Sequence, residues 1–441
     1  MTMRILHYGL GYPPERTGGL VQYVTDLMGE QVKQNHEVAY LFPGRIDIFN
    51  SLTKIKKSET RIIGVTSFEI INSLPLAVFG GIRDPGKFQT KVDHSIYNNL
   101  LDDFGPDVIH VHSLMGIHKE FFEVAKGRKI KIIYTSHDYF GLSPNPTFYF
   151  NGKSWDEEND LNFWLNVSQG ALETKKLKLL QLPFYSNIRD MIKKFKKSSF
   201  QKEKYYKKMR NEEFSITYKK SFEDLMDYYQ GIFKLITFFH FNSGISKKVF
   251  ERNLIEPISS YKILPISNST ILGGKKHINL DMSKIKKITY IGQYAEFKGF
   301  TDFINLAEEL KDRDITFEIY GENVDVSLPS NVINKKRFLI SDRKDVFKNI
   351  QLLVIPSNWK ETFGFLVLEA IDHETPVLVS SNVGAKDIVS KDFIFEVERL
   401  NEKLLSFILN QDEISFERNI ESLHYHSEEI TRLYGEIISI K

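Results

Sequence analysis

The sequence predicts an α/β protein with two domains, each built around a mainly parallel β-sheet. At 441 residues the chain is longer than one hydrophobic core usually supports. In both halves, short apolar runs alternate with amphipathic helical segments, a pattern typical of βα units that pack as parallel sheets. We therefore place one domain at 1–265, a second at 266–415, and a C-terminal helix at 416–441.

The first domain opens with a βαβ pattern: a strand at 3–8, an amphipathic helix at 20–34 and a strand at 37–42. The loop before the helix carries Gly9 and Gly11 but lacks a third glycine at the required spacing. Pro13 and Pro14 also prevent an immediate helix start. The loop is therefore a poor dinucleotide-binding fingerprint.

Two further predicted strands, at 107–113 and 131–138, end in polar residues that include His110, His112 and His137. Because ligands bind at the carboxyl ends of strands in such sheets, we expect both segments to point toward the active cleft. His110 and His112 share one face of a strand and could bind zinc together. No cysteine or further histidine at ligand spacing completes a site, so we expect no metal.

From about 140 to 231 the βα alternation breaks, which indicates a mostly helical insertion in the first domain. Between Glu173 and Lys220 the chain has fifteen Lys or Arg against five Asp or Glu, with aromatic residues interleaved. Two interpretations stay open: a solvated basic face on packed helices, or a surface that contacts anionic lipid or a polyanionic acceptor. No recognition module accompanies the charge, so nucleic acid is not an expected partner.

The second domain follows a flexible connection predicted at 267–285, which holds the run Gly273-Gly274-Lys275-Lys276. Predicted strands lie at 288–291, 315–320, 352–355 and 376–379, and predicted helices at 301–310, 344–350 and 365–373. A parallel sheet is the expected packing for strands joined in this way. The final segment, 416–438, has the apolar spacing of an amphipathic helix.

The strand-to-helix junction after residue 355 carries the clearest chemical signal. Glu361 precedes the helix, and Glu369 lies about two turns inside it. A helix start offers unpaired N–H groups and a partial positive charge, so the amides of Thr362, Gly364 and Phe365 are candidates to bind a diphosphate. Carboxylates repel phosphate but accept hydrogen bonds from hydroxyls, so we expect Glu361 and Glu369 to bind sugar and ribose hydroxyls.

Overall composition indicates a globular protein, with 41% hydrophobic residues, 26% charged residues and a formal net charge of +2. The absence of cysteine excludes disulfides and thiolate metal sites. No apolar run reaches the roughly 18 residues of a membrane span, and the first residues lack the apolar region of a signal peptide. We expect a cytoplasmic protein, peripheral at the inner face of the cell membrane if its basic segment binds lipid.

The segment 356–370 resembles the E-x7-E signature of retaining glycosyltransferases with the GT-B fold, in particular the large family 4. The resemblance implies two Rossmann-like domains facing each other across a cleft, with the C-terminal helix crossing back to the first. It implies that Glu361 binds hydroxyls of the transferred sugar and that Glu369 binds the ribose. The amides that would bind sugar and phosphate belong to Thr362, Phe363, Gly364 and Phe365.

Three further landmarks resemble the same family. In the loop after the second domain's first strand, the family has an arginine and a lysine that neutralise the donor diphosphate. Here Gln293, a neutral hydrogen-bond donor, stands at the arginine position and Lys298 at the lysine position. His137 corresponds to a catalytic histidine that faces the transferred sugar, and its carbonyl or ring would help hold that sugar as positive charge builds. The pair Gly18 and Gly19 resembles the glycine-rich loop on the acceptor side.

The resemblance implies a retaining, metal-independent glycosyltransferase without a cofactor. Its substrates would be a nucleoside diphosphate sugar and a glycan, lipid-linked or protein-linked acceptor, in cell-envelope or capsular polysaccharide synthesis. Two alternatives stay open: a sugar phosphorylase or hydrolase with the same fold, and a non-catalytic partner subunit that binds glycan or protein. The run Asp312-Arg313-Asp314 mimics a metal-binding D-x-D motif, but its place between a helix and a strand favours a surface turn.

Overall fold

The structure is a computed structural model, and it describes residues 2–77, 80–179, 181, 214–322, 327–410 and 413–439. Its strands are β1 (Arg4–Tyr8), β2 (Glu37–Pro43), β3 (Lys54–Ser58), β4 (Val65–Ile71), β5 (Val108–Val111), β6 (Lys131–Thr135), β7 (Tyr149–Phe150), β8 (Lys153–Ser154), β9 (Phe238–Phe241), β10 (Tyr261–Ile263), β11 (Gly274–Asp281), β12 (Lys287–Ile291), β13 (Thr316–Tyr320), β14 (Val332–Asn334), β15 (Leu352–Ile355), β16 (Val377–Ser380), β17 (Ile394–Phe395) and β18 (Glu413–Ile420).

Its α-helices are α1 (Gly19–Lys33), α2 (Ser95–Phe104), α3 (Lys119–Gly127), α4 (Leu161–Gly170), α5 (Thr174–Leu179), α6 (Ile216–Phe233), α7 (Gly244–Asn253), α8 (Phe300–Glu309), α9 (Arg343–Lys348), α10 (Phe365–Asp372), α11 (Leu400–Asn410) and α12 (Leu423–Ser439). Polar caps set several helix starts. Asp160 caps α4, Ser215 caps α6, and Ser243 and Ser246 form a capping box at α7. No described helix combines the length and the apolar character that crossing a bilayer requires.

The first domain contains the larger sheet, with the order β10-β9-β6-β5-β1-β2-β4-β3. Every neighbouring pair is parallel except β3 and β4. The central strands are nearly continuous apolar runs because both faces of the sheet are covered. Strand order reverses between β1 and β5, so the loops after these strands open a crevice at the carboxyl edge.

The second domain contains a fully parallel sheet with the order β14-β13-β12-β15-β16-β17. Its strand order reverses between β12 and β15, which are direct neighbours. The loops that follow these two strands therefore leave the sheet side by side. The predicted strands and helices of this domain are confirmed, with bounds that differ by at most two residues.

The flexible connection predicted at 267–285 and the start of the predicted C-terminal helix are wrong. Within these segments β11 and β18 pair antiparallel over eight residues each, so 416–420 is strand. Ile278 and Leu280 alternate with polar residues, and this period of two buries them in the second domain's core. Asp372 orders the preceding turn by accepting from the Leu272 and Gly273 amides and pairing with Lys276 at 3.0 Å.

The C-terminal helix α12 begins at Leu423, three residues after β18, and packs on α1 of the first domain. His426 Nε2 lies 2.9 Å from Tyr23 OH, and Gln31 Nε2 donates to Tyr434 OH at 3.3 Å. The predicted insertion contributes the hairpin of β7 and β8 and the helices α4, α5 and α6. Most of its basic segment, from 182 to 213, lies outside the described residues.

Candidate active site

The junction between β15 and α10 presents a run of free amide donors. Gly364 caps α10 with a φ of 104°, and a Cβ there would lie 2.8 Å from Val383. A backbone hydrogen bond holds the loop in place, because Glu361 N donates to Asn382 O at 2.9 Å. Among the described residues, no hydrogen-bond partner faces the backbone N–H groups of 362–365. These donors lie at the positive end of the helix, where an anion is stabilised.

Lys298 and Glu361 form an ion pair beside these amides. Lys298 Nζ lies 2.8 Å from Glu361 Oε1, and the two side chains are only 27% and 10% exposed. They meet because β12 and β15 are adjacent, so the loops after them share one edge of the sheet. The Trp359 ring supports the ammonium group, with its centroid 5.2 Å from Nζ. The sequence assigned these residues to different parts of the donor, whereas the structure brings their charges into contact.

Gly299 allows the two loops to approach. It ends the short turn that holds Lys298, with a φ of 71°. A Cβ at this position would lie 1.7 Å from the carbonyl oxygen of Pro356. No side chain fits there, so the placement of Lys298 beside Glu361 depends on this glycine.

Gln293 is exposed at the start of the same loop. Its main-chain carbonyl accepts a hydrogen bond from Tyr290 OH at 2.5 Å. The side-chain amide can donate hydrogen bonds but brings no positive charge. Within 292–299 the sequence offers Lys298 as the single cation.

Glu369 lies in the second turn of α10 and is bound by Arg343 of α9. Arg343 Nη1 lies 3.0 Å from Glu369 Oε1 and donates to Thr270 Oγ1 at 2.7 Å. Burial raises the pKa of Glu369 to about 7, outweighing the opposite effect of Arg343, and Asp372 adds to the rise. The sequence did not predict Arg343 as part of this site, because no motif spacing connects it to the junction.

The raised pKa makes stability depend on pH. Between the ordinary glutamate pKa of 4.5 and the raised pKa of about 7, the folded protein binds the Glu369 proton more tightly than the unfolded chain does. Protonated Glu369 therefore stabilises the folded protein fully below this pH window, and this stabilisation is lost as the pH rises through it. The unfolding free energy of Glu369→Gln minus that of wild type should therefore increase by up to about 3 kcal/mol between acidic pH and about pH 8.

Urea denaturation at a series of pH values measures this difference. Glu308→Gln is the control, because Glu308 is exposed and pairs with Lys311 at the protein surface. Its difference from wild type should stay small at every pH, because an exposed ion pair contributes little to stability. A pH-independent difference for Glu369→Gln would show that Arg343 keeps Glu369 ionised in the folded protein.

The first domain contacts the junction directly. Thr362 Oγ1 donates to the carbonyl oxygen of His137 at 3.0 Å. A Cβ on Gly19 would lie 3.1 Å from the Phe365 ring, so the start of α1 faces the start of α10. Gly18 has a φ of 122°, and among the residues that the structure describes none beyond its chain neighbours lies within 4 Å of its Cβ position. The structure thus brings the glycine pair, His137 and the junction to the same cleft.

The His137 ring is directed into the first domain. Its Nε2 lies 3.3 Å from His112 Nδ1, and its centroid lies 4.8 Å from that of the Tyr23 ring. Burial lowers the pKa of His137 to about 3. The ring is therefore neutral at pH 7, and the carbonyl faces the second domain.

His110 and His112 do not line the cleft as predicted. Both are fully buried, because Tyr434 of α12 contacts His110 at 2.6 Å and the Tyr23 ring of α1 lies 5.8 Å from the His112 ring. His7, which the sequence did not indicate, joins them so that one nitrogen of each lies within 4.8 Å of the others. All six ring nitrogens already make hydrogen bonds. An ion would have to break several of these bonds, so the donor set does not favour a metal centre.

The D-x-D run lies in an exposed turn between α8 and β13. Asp314 is 92% exposed and pairs with Lys286 at 2.7 Å. The surface-turn interpretation of this motif is therefore confirmed.

A second ion pair holds the Glu361 loop on the first domain. Lys360 Nζ lies 2.7 Å from Asp156 and 3.3 Å from Glu157, both in the loop after β8. Asp156 is 1% exposed and also binds Arg252 at 3.0 Å. The sequence indicated neither residue, since contacts between domains leave no periodic signal. This pair connects the insertion to the residue next to Glu361.

Replacing Lys360 with methionine should lower the unfolding free energy by about 1.5–3 kcal/mol, the usual cost of losing a charged hydrogen bond to a buried group. Lys284→Met is the control, because Lys284 is 81% exposed and forms its ion pair with Asp281 in its own turn. Its loss should be clearly smaller, because solvent screens an exposed pair. Chemical denaturation measures both values, and equal losses would show that the Lys360 contact does not stabilise the domain arrangement.

Two facing Rossmann-like domains, with a cation and a helix start at their shared cleft, define a GT-B glycosyltransferase. Two protein-family models agree: "Glycosyltransferase Family 4" matches residues 17–168, and "Glycosyl transferases group 1" matches 285–410, together more than half of the chain. The chain belongs to the family 4-type glycosyltransferases of the GT-B fold. The predicted family and fold class are confirmed.

Similar proteins include an uncharacterized 42.6 kDa protein in the cps region of Klebsiella pneumoniae, 23% identical over 349 residues, which are 77% of this chain and 74% of that protein. An α,α-trehalose-phosphate synthase (UDP-forming) from Burkholderia xenovorans, solved with glucose-6-phosphate, is 11% identical with a TM-score of 0.52, covering 98% of this chain and 99% of that chain. A glycosyltransferase from Rickettsia africae is also 11% identical with a TM-score of 0.52, covering 100% of both chains. At these identities the structural likeness shows the fold.

Proposed function

We propose that this protein is a retaining, metal-independent glycosyltransferase that moves a sugar from a nucleoside diphosphate to a glycan, lipid-linked or protein-linked acceptor. The observation that carries the proposal is the pair of Lys298 and Glu361, 2.8 Å apart, beside the free amides of 362–365. A cation and N–H donors suit a diphosphate, and the adjacent carboxylate suits sugar hydroxyls.

The pairing suggests how the donor enters. An arriving diphosphate competes with Glu361 for Lys298, because it carries more negative charge and also binds the helix amides. Glu361, released from the ammonium group, then accepts hydrogen bonds from hydroxyls of the sugar. Glu369, positioned by Arg343, accepts from the ribose.

In the transfer step, the bond between the anomeric carbon and the diphosphate oxygen breaks while the acceptor oxygen attacks from the same face. Positive charge develops on the sugar and negative charge on the diphosphate, which Lys298 and the amides stabilise. The acceptor's proton passes to the departing phosphate oxygen. Neutral His137 lies on the first-domain side of this cleft. Domain closure would exclude water and limit hydrolysis of the donor.

Metal independence rests on the positive charge already at the site. Lys298 and the start of α10 supply what a divalent cation supplies in other enzymes. The D-x-D residues lie in a surface turn, where Asp314 is engaged by Lys286. Transfer should therefore persist in excess EDTA, and its loss, reversed by added cation, would contradict this part of the proposal.

The acceptor is proposed to belong to cell-envelope or capsular polysaccharide synthesis. The similarity to a Klebsiella pneumoniae protein in a cps region supports this assignment. The basic composition of 173–220 supports a place at the inner, anionic face of the cell membrane. Salt-sensitive co-sedimentation with anionic but not neutral vesicles would test it, with glutamate replacing Lys193, Lys194, Lys196 and Lys197 as the control variant.

Calorimetry with UDP-, GDP- and dTDP-sugars tests the donor assignment. UDP-sugars come first, because the similar Burkholderia xenovorans synthase is described as UDP-forming. Transfer to candidate acceptors, with the anomeric configuration of the product read by NMR, then tests retention. Inverted product would refute retention. A protein that ignores every nucleotide sugar would favour the partner-subunit alternative, and turnover that needs phosphate but no nucleotide would favour a phosphorylase.

A further inference from the structure

Seven buried side chains connect a backbone carbonyl to His137 through one unbroken series of hydrogen bonds, which we name the histidine chain. The bonds are 2.6 to 3.3 Å long and run through the Leu264 carbonyl, His240, Thr135, His110, Tyr434, Gln31, His7, His112 and His137. The series draws on five strands or their ends and on two helices, α1 and α12, so it spans the interior of the first domain.

The direction of every bond follows from the Leu264 carbonyl, which can only accept. His240 must therefore donate from Nε2, which leaves its Nδ1 to accept, since a neutral imidazole has one donor and one acceptor nitrogen. The Thr135 hydroxyl donates to His240 Nδ1 and in turn accepts from His110 Nε2. His110 Nδ1 must then be an acceptor.

The next links carry the same direction to Gln31. Tyr434 donates its hydroxyl hydrogen to His110 Nδ1 at 2.6 Å. The Tyr434 oxygen is thus left to accept from Gln31 Nε2 at 3.3 Å. Gln31 consequently turns its Oε1 toward His7 Nε2, 2.7 Å away, and the orientation of this amide is determined.

The last links end at the cleft. Because Gln31 Oε1 can only accept, His7 donates from Nε2 and accepts at Nδ1 from His112 Nε2, 3.0 Å away. His112 Nδ1 accepts from His137 Nε2 at 3.3 Å. His137 therefore carries its hydrogen on Nε2 and keeps a lone pair on Nδ1. In the described part of the chain, no hydrogen-bond partner occupies that Nδ1.

The direction requires every imidazole in the chain to be neutral. Burial lowers the pKa of His7 and His240 to about 4 and that of His137 to about 3. It lowers the pKa of His110 and His112 well below the usual value, and each also feels the neighbouring histidines. Lys262 further disfavours a charge on His240. A proton on any member would force two donors to face each other.

We infer that the histidine chain holds His137 in the tautomer whose Nδ1 accepts a hydrogen bond from a substrate hydroxyl. Gln31, His7, His112 and Tyr434 are then positioning residues for the cleft. Tyr434 gives α12 a role in the site although it lies four hydrogen bonds from His137. The use of the lone pair for a hydroxyl rests on the proposed function, whereas the tautomer does not.

The tautomer can be measured without any substrate. Long-range proton–nitrogen NMR on protein labelled with ¹⁵N-histidine distinguishes a protonated from an unprotonated ring nitrogen, and His137→Asn assigns the signals. At pH 7 wild type should show His137 protonated on Nε2 alone. Tyr434→Phe removes one oxygen, frees the Gln31 amide to turn, and should convert His137 to a mixture of tautomers.

Tyr97→Phe is the matched control. Tyr97 is as buried as Tyr434 and bonds a buried histidine, His118, at 2.8 Å. His118 lies outside the histidine chain. The control should therefore leave the His137 signals unchanged while altering those of His118.

A wild-type His137 protonated on Nδ1, or charged at pH 7, would overturn the inference even if no variant folds. So would an unchanged tautomer in folded Tyr434→Phe. Once a donor and an acceptor are known, Tyr434→Phe should lower kcat by about two- to tenfold with little change in KM for the donor. If His137 is protonated on Nε2 but the protein has no transferase activity, the proposed function is refuted, whereas the inference about the histidine chain is not.

Discussion

Replacing Lys298 with methionine is expected to lower kcat/KM for sugar transfer by about 10²–10³-fold, the usual cost of removing one group that stabilises transition-state charge. Lys298 is the one cation in its loop, because Gln293 stands where the family has arginine. Most of the loss should appear in kcat, since negative charge on the diphosphate grows as the glycosidic bond breaks. Steady-state kinetics with the donor found by calorimetry measures the effect.

The ion pair complicates the single variant, because Glu361 is only 10% exposed and would lose its partner. Breaking a buried pair from one side costs up to about 3–5 kcal/mol, and this partly exposed pair should cost less. The double variant Lys298→Met with Glu361→Gln removes both charges and should recover much of the stability without recovering transfer. Loss of activity can then be separated from loss of fold.

Lys311→Met provides the control for a lysine-to-methionine change, because Lys311 is exposed and pairs with Glu308 on the surface. Its activity should equal that of wild type. Near-normal transfer by the folded Lys298→Met variant would refute the role given to this lysine. Full activity of the double variant would refute the site as a whole.

Gly299→Ala should destabilise the protein by about 3–6 kcal/mol, through backbone strain combined with overpacking. The residue has a φ of 71°, and a Cβ would lie 1.7 Å from the Pro356 carbonyl oxygen, so backbone must move. Urea denaturation of the purified variant measures the loss, and low soluble yield would accompany it.

Gly274→Ala separates the two causes. Gly274 has a φ of 92°, but apart from its chain neighbours no described residue lies within 4 Å of its Cβ position. This variant should therefore lose only about 1–2 kcal/mol, through strain alone. If both variants lost the same unfolding free energy, the close approach of the Lys298 loop to Pro356 would not contribute to the loss in Gly299→Ala.

The sequence alone was sufficient for the second domain's βα alternation and for the junction that carries Glu361 and Glu369. These features are local, since apolar period, proline and glycine positions and helix spacing all act within about fifteen residues. The incorrect prediction of a flexible connection also came from a local sequence pattern. The glycines and lysines at 273–276 suggested a flexible linker, but the alternation of Ile278 and Leu280 meets a partner strand more than a hundred residues away.

Tertiary structure decided which charges and rings meet. The contact of Lys298 with Glu361 depends on the adjacency of β12 and β15, and Arg343 reaches Glu369 from a helix that no motif marks. His110 and His112 were predicted to point toward the cleft, but Tyr434 of α12 covers His110 and Tyr23 of α1 packs on His112. Residue types and spacing thus determined the family and the kind of chemistry, whereas pairings, protonation and orientation arise only when distant segments pack and exclude water.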